Sequence, residues 1–336
     1  MAFQAPKYPW QTELWQSWLS QNDRLAHAYL LTGSDGIGLT QFALDMAQTL
    51  LCHHPNHSQG ACGECSQCHL FEQMSHPDFY SLEVLEDKKE VGIDQVRALN
   101  AKLFQTAHQG GYQVALIKQA EHLNTSAFNA LLKTIEEPPA KTVIILTAYQ
   151  PSRLPATIKS RCALLRFAKP SLETAQAWLK LALPEADDAL IKKSLRINWG
   201  APLQALDWIN DKQFETEQAW QDSLVQLMQG QLGVSQAVDK WKKWSKPEVV
   251  FDYFYLWTVQ RIRAASYQQK FPLNHDWLRF QQQVLVAQQA WDGNGNKELI
   301  LENLCMDWVA LNQQGHLPDI SPEANPMQGL LLRGML

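Results

Sequence analysis

The sequence predicts an α/β domain, a parallel sheet covered by helices on both faces, followed by an all-helical half. Strand patterns alternate with helical patterns over roughly the first 165 residues. After Lys169-Pro170 the strand patterns stop, and ten of the thirteen tryptophans lie in the helical remainder. Ligands of open parallel sheets bind at the carboxyl ends of the strands. Functional residues of the first half are therefore expected at that edge.

The first elements form a strand, a glycine-rich loop and a helix, preceded by a short amphipathic helix. Residues 1–25 place tryptophans and leucines on one helical face. An apolar run within residues 24–32 predicts a buried strand. Residues 39–51 repeat apolar side chains at three- and four-residue spacing, which predicts a helix packed on that strand.

The alternation continues after a cysteine-rich segment. Apolar and β-branched runs predict strands, one-sided apolar repeats predict helices, and Pro138-Pro139 ends the last predicted helix of the domain. The predicted elements are a strand at 78–84, a helix at 94–106, a strand at 112–117, a helix at 126–136, and strands at 142–147 and 163–167.

Three domains are predicted along the 336 residues, since about 150 residues per domain gives two and allows a small third. Residues 1–168 form the α/β domain, with a metal-binding module at 52–68. Residues 169–208 form a small helical domain, which contains a break at 198–202. A larger helical domain spans residues 209–336 and ends in a tail after about residue 315.

The composition is that of a globular protein, with 46% hydrophobic and 19% charged residues. No apolar run approaches the ~18 residues of a membrane helix. The first residues do not show the basic region followed by an apolar region that is typical of a secretion signal. A cytoplasmic protein without a membrane partner is predicted. The net charge is 29 − 34 = −5, which argues against a surface devoted to nucleic acid, although a local basic patch stays open.

Four cysteines lie within seventeen residues in the pattern C-x9-C-x2-C-x2-C: Cys52, Cys62, Cys65 and Cys68. Four thiolates close a tetrahedron and leave no position for water, which predicts a structural zinc site. Incidental thiols and the replacement of one ligand by a nearby histidine (His53, His54, His57 or His69) stay open. A nucleic-acid-reading zinc ribbon is less favoured because Cys62–Cys68 encloses no basic residue.

The loop between the first strand and the next helix has the setting of a phosphate loop, with Gly33, Gly36, Gly38, Leu39 and Thr40. A phosphate loop needs a lysine before its final threonine to neutralise the β and γ phosphates, and Leu39 stands there. A tight turn that binds no ligand is therefore the favoured interpretation of the loop alone.

Two further positions bear on nucleotide chemistry. In nucleotide hydrolases the strand that here ends at Ile117 is followed by acids that hold magnesium and polarise water, but this chain has Lys118 and Gln119. Arg161 lies in the motif Ser160-Arg161-Cys162, within a stretch from 138 to 172 that has six basic residues and no acid. Such a stretch suits a phosphate-bearing partner, and a solvated arginine is the simpler alternative.

Taken together, these segments resemble the AAA+ clamp-loader family over most of the first 205 residues. The order of the motifs is more specific than any one of them. The segments that carry the resemblance are the four cysteines and residues 24–33 (RLAHAYLLTG), 92–97 (GIDQVR), 129–139 (NALLKTIEEPP) and 154–162 (LPATIKSRC).

The resemblance implies an AAA+ α/β module with a zinc-binding excursion, a small helical lid domain and an all-α collar domain. It implies a hetero-pentameric ring of this chain with motor subunits (tau/gamma) and a delta subunit, which places the sliding clamp on primer–template DNA. Motor subunits have lysine at Leu39, acids at Lys118 and Gln119, and an arginine in the lid where this chain has Leu203. The resemblance therefore implies an inactive ATPase module with no ATP in its own site.

In the family, Arg161 would reach the ATP of the adjacent motor subunit as an arginine finger, and zinc at the four cysteines would be structural. Two alternatives remain. One is an active motor ATPase in which Lys118 replaces the missing lysine. The other is a zinc-containing, nucleic-acid-binding regulator, which predicts salt-dependent DNA affinity of the isolated chain.

Overall fold

A computed structural model describes residues 8–20, 25–53, 60–85, 88–267, 275–293 and 295–313. The predicted tail after residue 315 and parts of the first predicted helix lie outside these residues.

The first half of the chain alternates strands and helices in the predicted order. In chain order the elements are α1 (Thr12–Leu19), β1 (Ala28–Thr32), α2 (Leu39–Leu51), α3 (Ser66–Glu72), β2 (Phe79–Leu82), α4 (Ile93–Leu103), β3 (Gln113–Ile117), α5 (Thr125–Glu136), β4 (Thr142–Ala148), α6 (Ala156–Lys159) and β5 (Ala163–Arg166). Short 3-10 turns are found at Pro9–Gln11, Ala120–His122 and Pro151–Arg153.

The five strands form one sheet in the order β2-β3-β4-β1-β5, and every pair is parallel. Every residue of the three central strands is buried. The edge strands β2 and β5 are partly exposed. Continuous apolar runs are typical of parallel strands that are covered on both faces. The predicted parallel five-stranded sheet is confirmed.

Each face of the sheet has its own hydrophobic core. On one face, side chains of β1, β3 and β4 such as Leu31 and Leu116 pack against α1 and α2. On the other, residues such as Leu30 and Ile117 pack against α4 and α5. Adjacent residues of a strand enter opposite cores because successive side chains point to opposite faces.

Several boundaries differ from the prediction. The strand β2 begins at Phe79, one residue after the predicted start at Asp78, whose buried carboxylate accepts hydrogen bonds from the backbone N–H groups of His108 (2.7 Å) and Gln109 (2.9 Å). The helix α4 ends at Leu103 rather than 106. The helices α3 and α6 were not predicted.

Beyond β5, all the secondary-structure elements of the described residues are helices. These helices are α7 (Leu172–Ala182), α8 (Asp188–Ile197), α9 (Pro202–Asn210), α10 (Gln213–Met228), α11 (Val234–Lys242), α12 (Val249–Tyr267), α13 (His275–Asp292) and α14 (Lys297–Gln313). The chain divides into two compact units, Met1–Asp207 and Trp208–Leu336. The three-domain division stays a prediction. None of the described helices is both long and apolar enough to cross a membrane.

The second unit has an aromatic core. Phe254 is fully buried and its ring contacts Trp220, Trp241, Phe280 and Trp308, with centroids 5.0–6.4 Å apart. Aromatic pairs at these separations add to the stabilisation from burial. Trp220, Trp241 and Trp308 are therefore core residues of this unit.

Candidate functional site

The glycine-rich loop joins the carboxyl end of β1 to the start of α2. Gly36 (φ 75°) and Gly38 (φ 88°) have left-handed backbone conformations, which favour glycine. A Cβ atom on Gly36 would lie 2.6 Å from Cγ of Gln204, so α9 packs directly on the loop. A Cβ atom on Gly38 would collide with the Tyr8 ring.

Leu39 fills the inner side of the loop. Its side chain is fully buried in the core formed by β1 and α2, as is that of Ile37. A Cβ atom placed on Gly33 would lie 3.1 Å from Cδ1 of both side chains. The residue at the lysine position of a phosphate loop is thus part of the hydrophobic core.

The segment before α1 covers the loop from outside. Trp10 Nε1 donates to the Ile37 carbonyl (2.9 Å), and Gln11 Nε2 donates to the carbonyls of Ile37 (2.9 Å) and Gly38 (3.0 Å). The Tyr8 ring stacks on Trp10, with centroids 5.1 Å apart. These side chains therefore pack on the loop directly before α2 and hydrogen-bond its carbonyl groups.

Groups of the chain itself engage the polar backbone of the loop. The Asp35 carboxylate accepts one hydrogen bond from the Gly36 N–H (2.8 Å) and another from Gln204 Nε2 (3.0 Å). The Leu203 N–H donates to the Gly36 carbonyl (3.0 Å). Residues at the start of α9 therefore help to hold the loop in its conformation.

Lys118 and Gln119 follow directly after β3. Lys118 Nζ lies 2.9 Å from a carboxylate oxygen of Glu83, which follows β2. The Gln119 N–H donates to the hydroxyl of the buried Thr147 (3.0 Å). The Thr40 hydroxyl is 3.3 Å from that of Tyr149, whose pKa is raised by burial.

The structure brings the four predicted cysteines together. Their sulfur atoms all lie within 4.8 Å of one another, and Cys52–Cys62, Cys52–Cys65 and Cys62–Cys68 are 3.5, 3.9 and 3.9 Å apart. Zn–S bonds of ~2.3 Å in a tetrahedron give S···S separations of about 3.8 Å. This donor set fits zinc.

The backbone around the cysteines favours thiolates. The N–H of Cys62 donates to Cys52 Sγ (3.4 Å), and the N–H of Cys68 donates to Cys65 Sγ (3.5 Å). Burial opposes ionisation of Cys65, but hydrogen bonds from Cys68, His53 and Cys62 together lower its pKa to about 6. Burial and the neighbouring Cys65 raise the pKa of Cys68.

Among the described residues, the four cysteines form the one group of three or more potential ligands whose donor atoms lie close enough together to hold a metal ion. His53 is exposed, and His69 lies 3.9 Å from Glu72 as a partly exposed pair. His54 and His57, the other two candidate replacements, lie outside the described residues.

Arg161 lies on the surface, between α6 and β5. Its Nε is 2.7 Å from Oε1 of Glu136, the last residue of α5, and the side chains of this pair are 40% and 46% exposed. Its Nη1 donates to the Thr157 carbonyl (3.1 Å) and contacts the Ser160 hydroxyl (3.4 Å). The next residue, Cys162, packs against the core, and burial raises its pKa to about 11.

The basic residues of the 138–172 stretch do not form a single cluster. Lys141 precedes β4 and donates to the Gly110 carbonyl (3.3 Å), whereas Arg153 follows the same strand. Seven residues of strand separate them by about 23 Å. Lys159 lies near Arg153, since its Nζ donates to the Pro151 carbonyl (3.3 Å), whereas Arg161 lies toward the amino ends of the strands, beside Glu136 and before β5.

Sequence reasoning missed several residues of the loop site: Tyr8, Trp10, Gln11, Asp35 and Gln204. The aromatic residues at 8 and 10 were a visible signal, but they were interpreted as part of an amphipathic helix. Asp35 and Gln204 are 169 positions apart, and no local pattern links them.

A glycine loop between the first strand and a helix, in a parallel sheet of this order with helices on both faces, defines an AAA+ α/β module. Residues 10–171 match the family model described as "DNA polymerase III, delta subunit". The chain is 35% identical to the DNA polymerase III subunit delta′ of Pseudomonas aeruginosa over 331 residues, 92% of this chain and 99% of the relative. The chain therefore belongs to the family of DNA polymerase III delta′ subunits.

Other similar proteins cover less of the chain or resemble it less. The delta′ subunit of Escherichia coli is 37% identical over 201 residues, 59% of this chain and 60% of that protein. The tau/gamma subunit of Haemophilus influenzae is 35% identical over 51% of this chain and 25% of its own length. A solved gamma subunit-related protein of Thermotoga maritima has a TM-score of 0.45 at 17% identity, covering 90% of this chain and 99% of that one.

Proposed function

We propose that this chain is a stationary subunit of a clamp loader, without ATPase activity of its own, that helps place the sliding clamp on primer–template DNA. It works in the cytoplasm as part of the DNA polymerase III holoenzyme, in a hetero-pentameric ring with tau/gamma motor subunits and a delta subunit. Its contribution to catalysis is Arg161, which reaches the ATP of the neighbouring motor subunit.

The closed phosphate loop carries this proposal. Leu39 occupies the loop from inside, and Tyr8, Trp10 and Gln11 cover it from outside. A nucleotide would have to displace these side chains and would find no lysine for its phosphates. The cost of that displacement and the missing charge both oppose binding.

The alternative of an active motor requires Lys118 to reach the loop. Lys118 follows β3, which β4 separates from β1, so its backbone starts about 10 Å from the end of β1. Its ammonium group is paired with Glu83 on the side of β2. Both facts favour the inactive subunit.

Zinc at Cys52, Cys62, Cys65 and Cys68 completes the proposal. The ion would supply a closed tetrahedral cross-link without redox chemistry of its own. The cysteines join the end of α2 to the start of α3, and so the ion would stabilise a loop excursion far from the closed phosphate loop along α2.

Calorimetry with ATP and magnesium tests the inactive site. We expect the purified full-length chain to give no heat of binding at concentrations that saturate a tau/gamma motor subunit measured alongside. Clear binding would show that the missing lysine is compensated, and the proposal of an inactive site would be wrong.

Arg161→Ala tests the contribution to the neighbouring site. Arginine fingers are worth roughly 10³ to 10⁵ in rate, because they stabilise charge in the transition state of phosphoryl transfer. In reconstituted rings, we expect the hydrolysis at the adjoining site to be lost while the variant assembles normally. Unchanged ATP hydrolysis in assembled rings would contradict the role of Arg161.

A further inference from the structure

The side chain of Arg161 is held by this chain on two sides. Glu136 lies beside Nε at 2.7 Å, and the Thr157 carbonyl accepts from Nη1 at 3.1 Å. A guanidinium group has five N–H donors in a rigid plane. Contacts at two of its nitrogen atoms, Nε and Nη1, therefore fix the orientation of the whole group. Among the described residues, Nη2 has no hydrogen-bond partner, and its two donors remain for an external acceptor.

The groups that hold Arg161 lie on packed elements. Glu136 follows Ile135, which is fully buried at the end of α5, and Thr157 precedes the fully buried Ile158 of α6. The Arg161 N–H donates to the Ile158 carbonyl (3.1 Å) and fixes the backbone beneath the side chain. The orientation of the guanidinium therefore depends on the core of the α/β unit.

We infer that Glu136 is a positioning residue, which orients the guanidinium of Arg161 so that Nη2 faces the phosphate of the neighbouring subunit. This inference rests on the proposed function of Arg161. Without Glu136, the long arginine side chain samples more rotamers, and ordering it at each turnover costs free energy. Because the pair is exposed, the effect is moderate and Glu136 is dispensable for folding.

The test compares Glu136→Gln with Glu137→Gln in reconstituted rings. Both variants remove one negative charge from neighbouring exposed residues, but only Glu136 forms an ion pair with Arg161. The loss caused by Arg161→Ala defines the part of ATP hydrolysis that depends on the finger. We expect Glu136→Gln to lower that part about two- to five-fold in kcat, with KM for ATP unchanged, and Glu137→Gln to leave it unchanged.

Two further measurements separate positioning from a general structural effect. The difference between the two glutamine variants should decrease as salt is raised, because exposed charges are screened. Adding Glu136→Gln to Arg161→Ala should cause no further loss, since Glu136 acts through Arg161. A further loss in the double variant would contradict the inference.

The outcomes distinguish this inference from the function on which it rests. If Arg161→Ala lowers ATP hydrolysis and Glu136→Gln behaves like Glu137→Gln, the proposed role of Arg161 is supported and the positioning role of Glu136 is wrong. If Glu136→Gln raises kcat, Glu136 competes with the phosphate, which also refutes positioning. If Arg161→Ala changes nothing, the proposed function itself fails.

Discussion

Leu39 occupies the position that a lysine has in a phosphate loop. A lysine at this position of a phosphate loop serves the phosphates, whereas the leucine enters the core between β1 and α2 and is fully buried. Gly33 leaves room for the Leu39 side chain, because a Cβ atom on Gly33 would lie only 3.1 Å from Leu39 Cδ1. Leu39 therefore makes a packing contact at the position where a phosphate loop has a charged side chain.

Leu39→Ala should destabilise the first compact unit by about 2–5 kcal/mol, as expected for the loss of a fully buried leucine. The matched control is Leu181→Ala in α7, because Leu181 is 82% exposed and its truncation should cost little. Hydrogen exchange of the β1 and β4 amides in increasing urea measures the loss within this unit. Equal protection in the two variants would show that Leu39 is not a core residue.

At the scale of elements, most of the α/β half could be predicted. The central strands are buried on both faces, so their sequences are continuous apolar runs, and the five strands were found. The helix α2 has the predicted bounds because the left-handed Gly38 begins it and the extended backbone of Cys52 ends it. Local sequence patterns were sufficient to predict elements whose residues are buried in a regular pattern.

Elements that depend on distant contacts could not be predicted. The helix α3 has seven residues, too few for a periodic pattern, and its first turn is capped by the Cys65 sulfur. The closure of the phosphate loop depends on Gln11 and on the pair of Asp35 with Gln204, which are side-chain contacts across the fold. The cysteine cluster was predictable as a set because its spacing is short. The partner of Arg161, Glu136, was not.

For the whole molecule, the proposed functions all fall in one of the two compact units. The closed phosphate loop, the cysteine cluster and Arg161 lie within Met1–Asp207. The second unit has its own aromatic core around Phe254. A change at the cysteines should therefore act on the stability of the first unit, because metal binding and folding are coupled locally.

Removal of zinc with a strong chelator tests this division. We expect the thermal midpoint of the first unit to fall by about 10 °C. A structural ion contributes several kcal/mol to the free energy of unfolding, and each kcal/mol shifts the midpoint by a few degrees. Hydrogen exchange should accelerate in α3 and at the end of α2 and stay unchanged in α10–α14. Cys62→Ser should reproduce the loss of zinc, whereas Cys305→Ser, at a cysteine buried in the second unit, should retain zinc. A metal-free protein with the original midpoint and exchange pattern would refute a structural zinc, because the four thiols would then be held by packing alone.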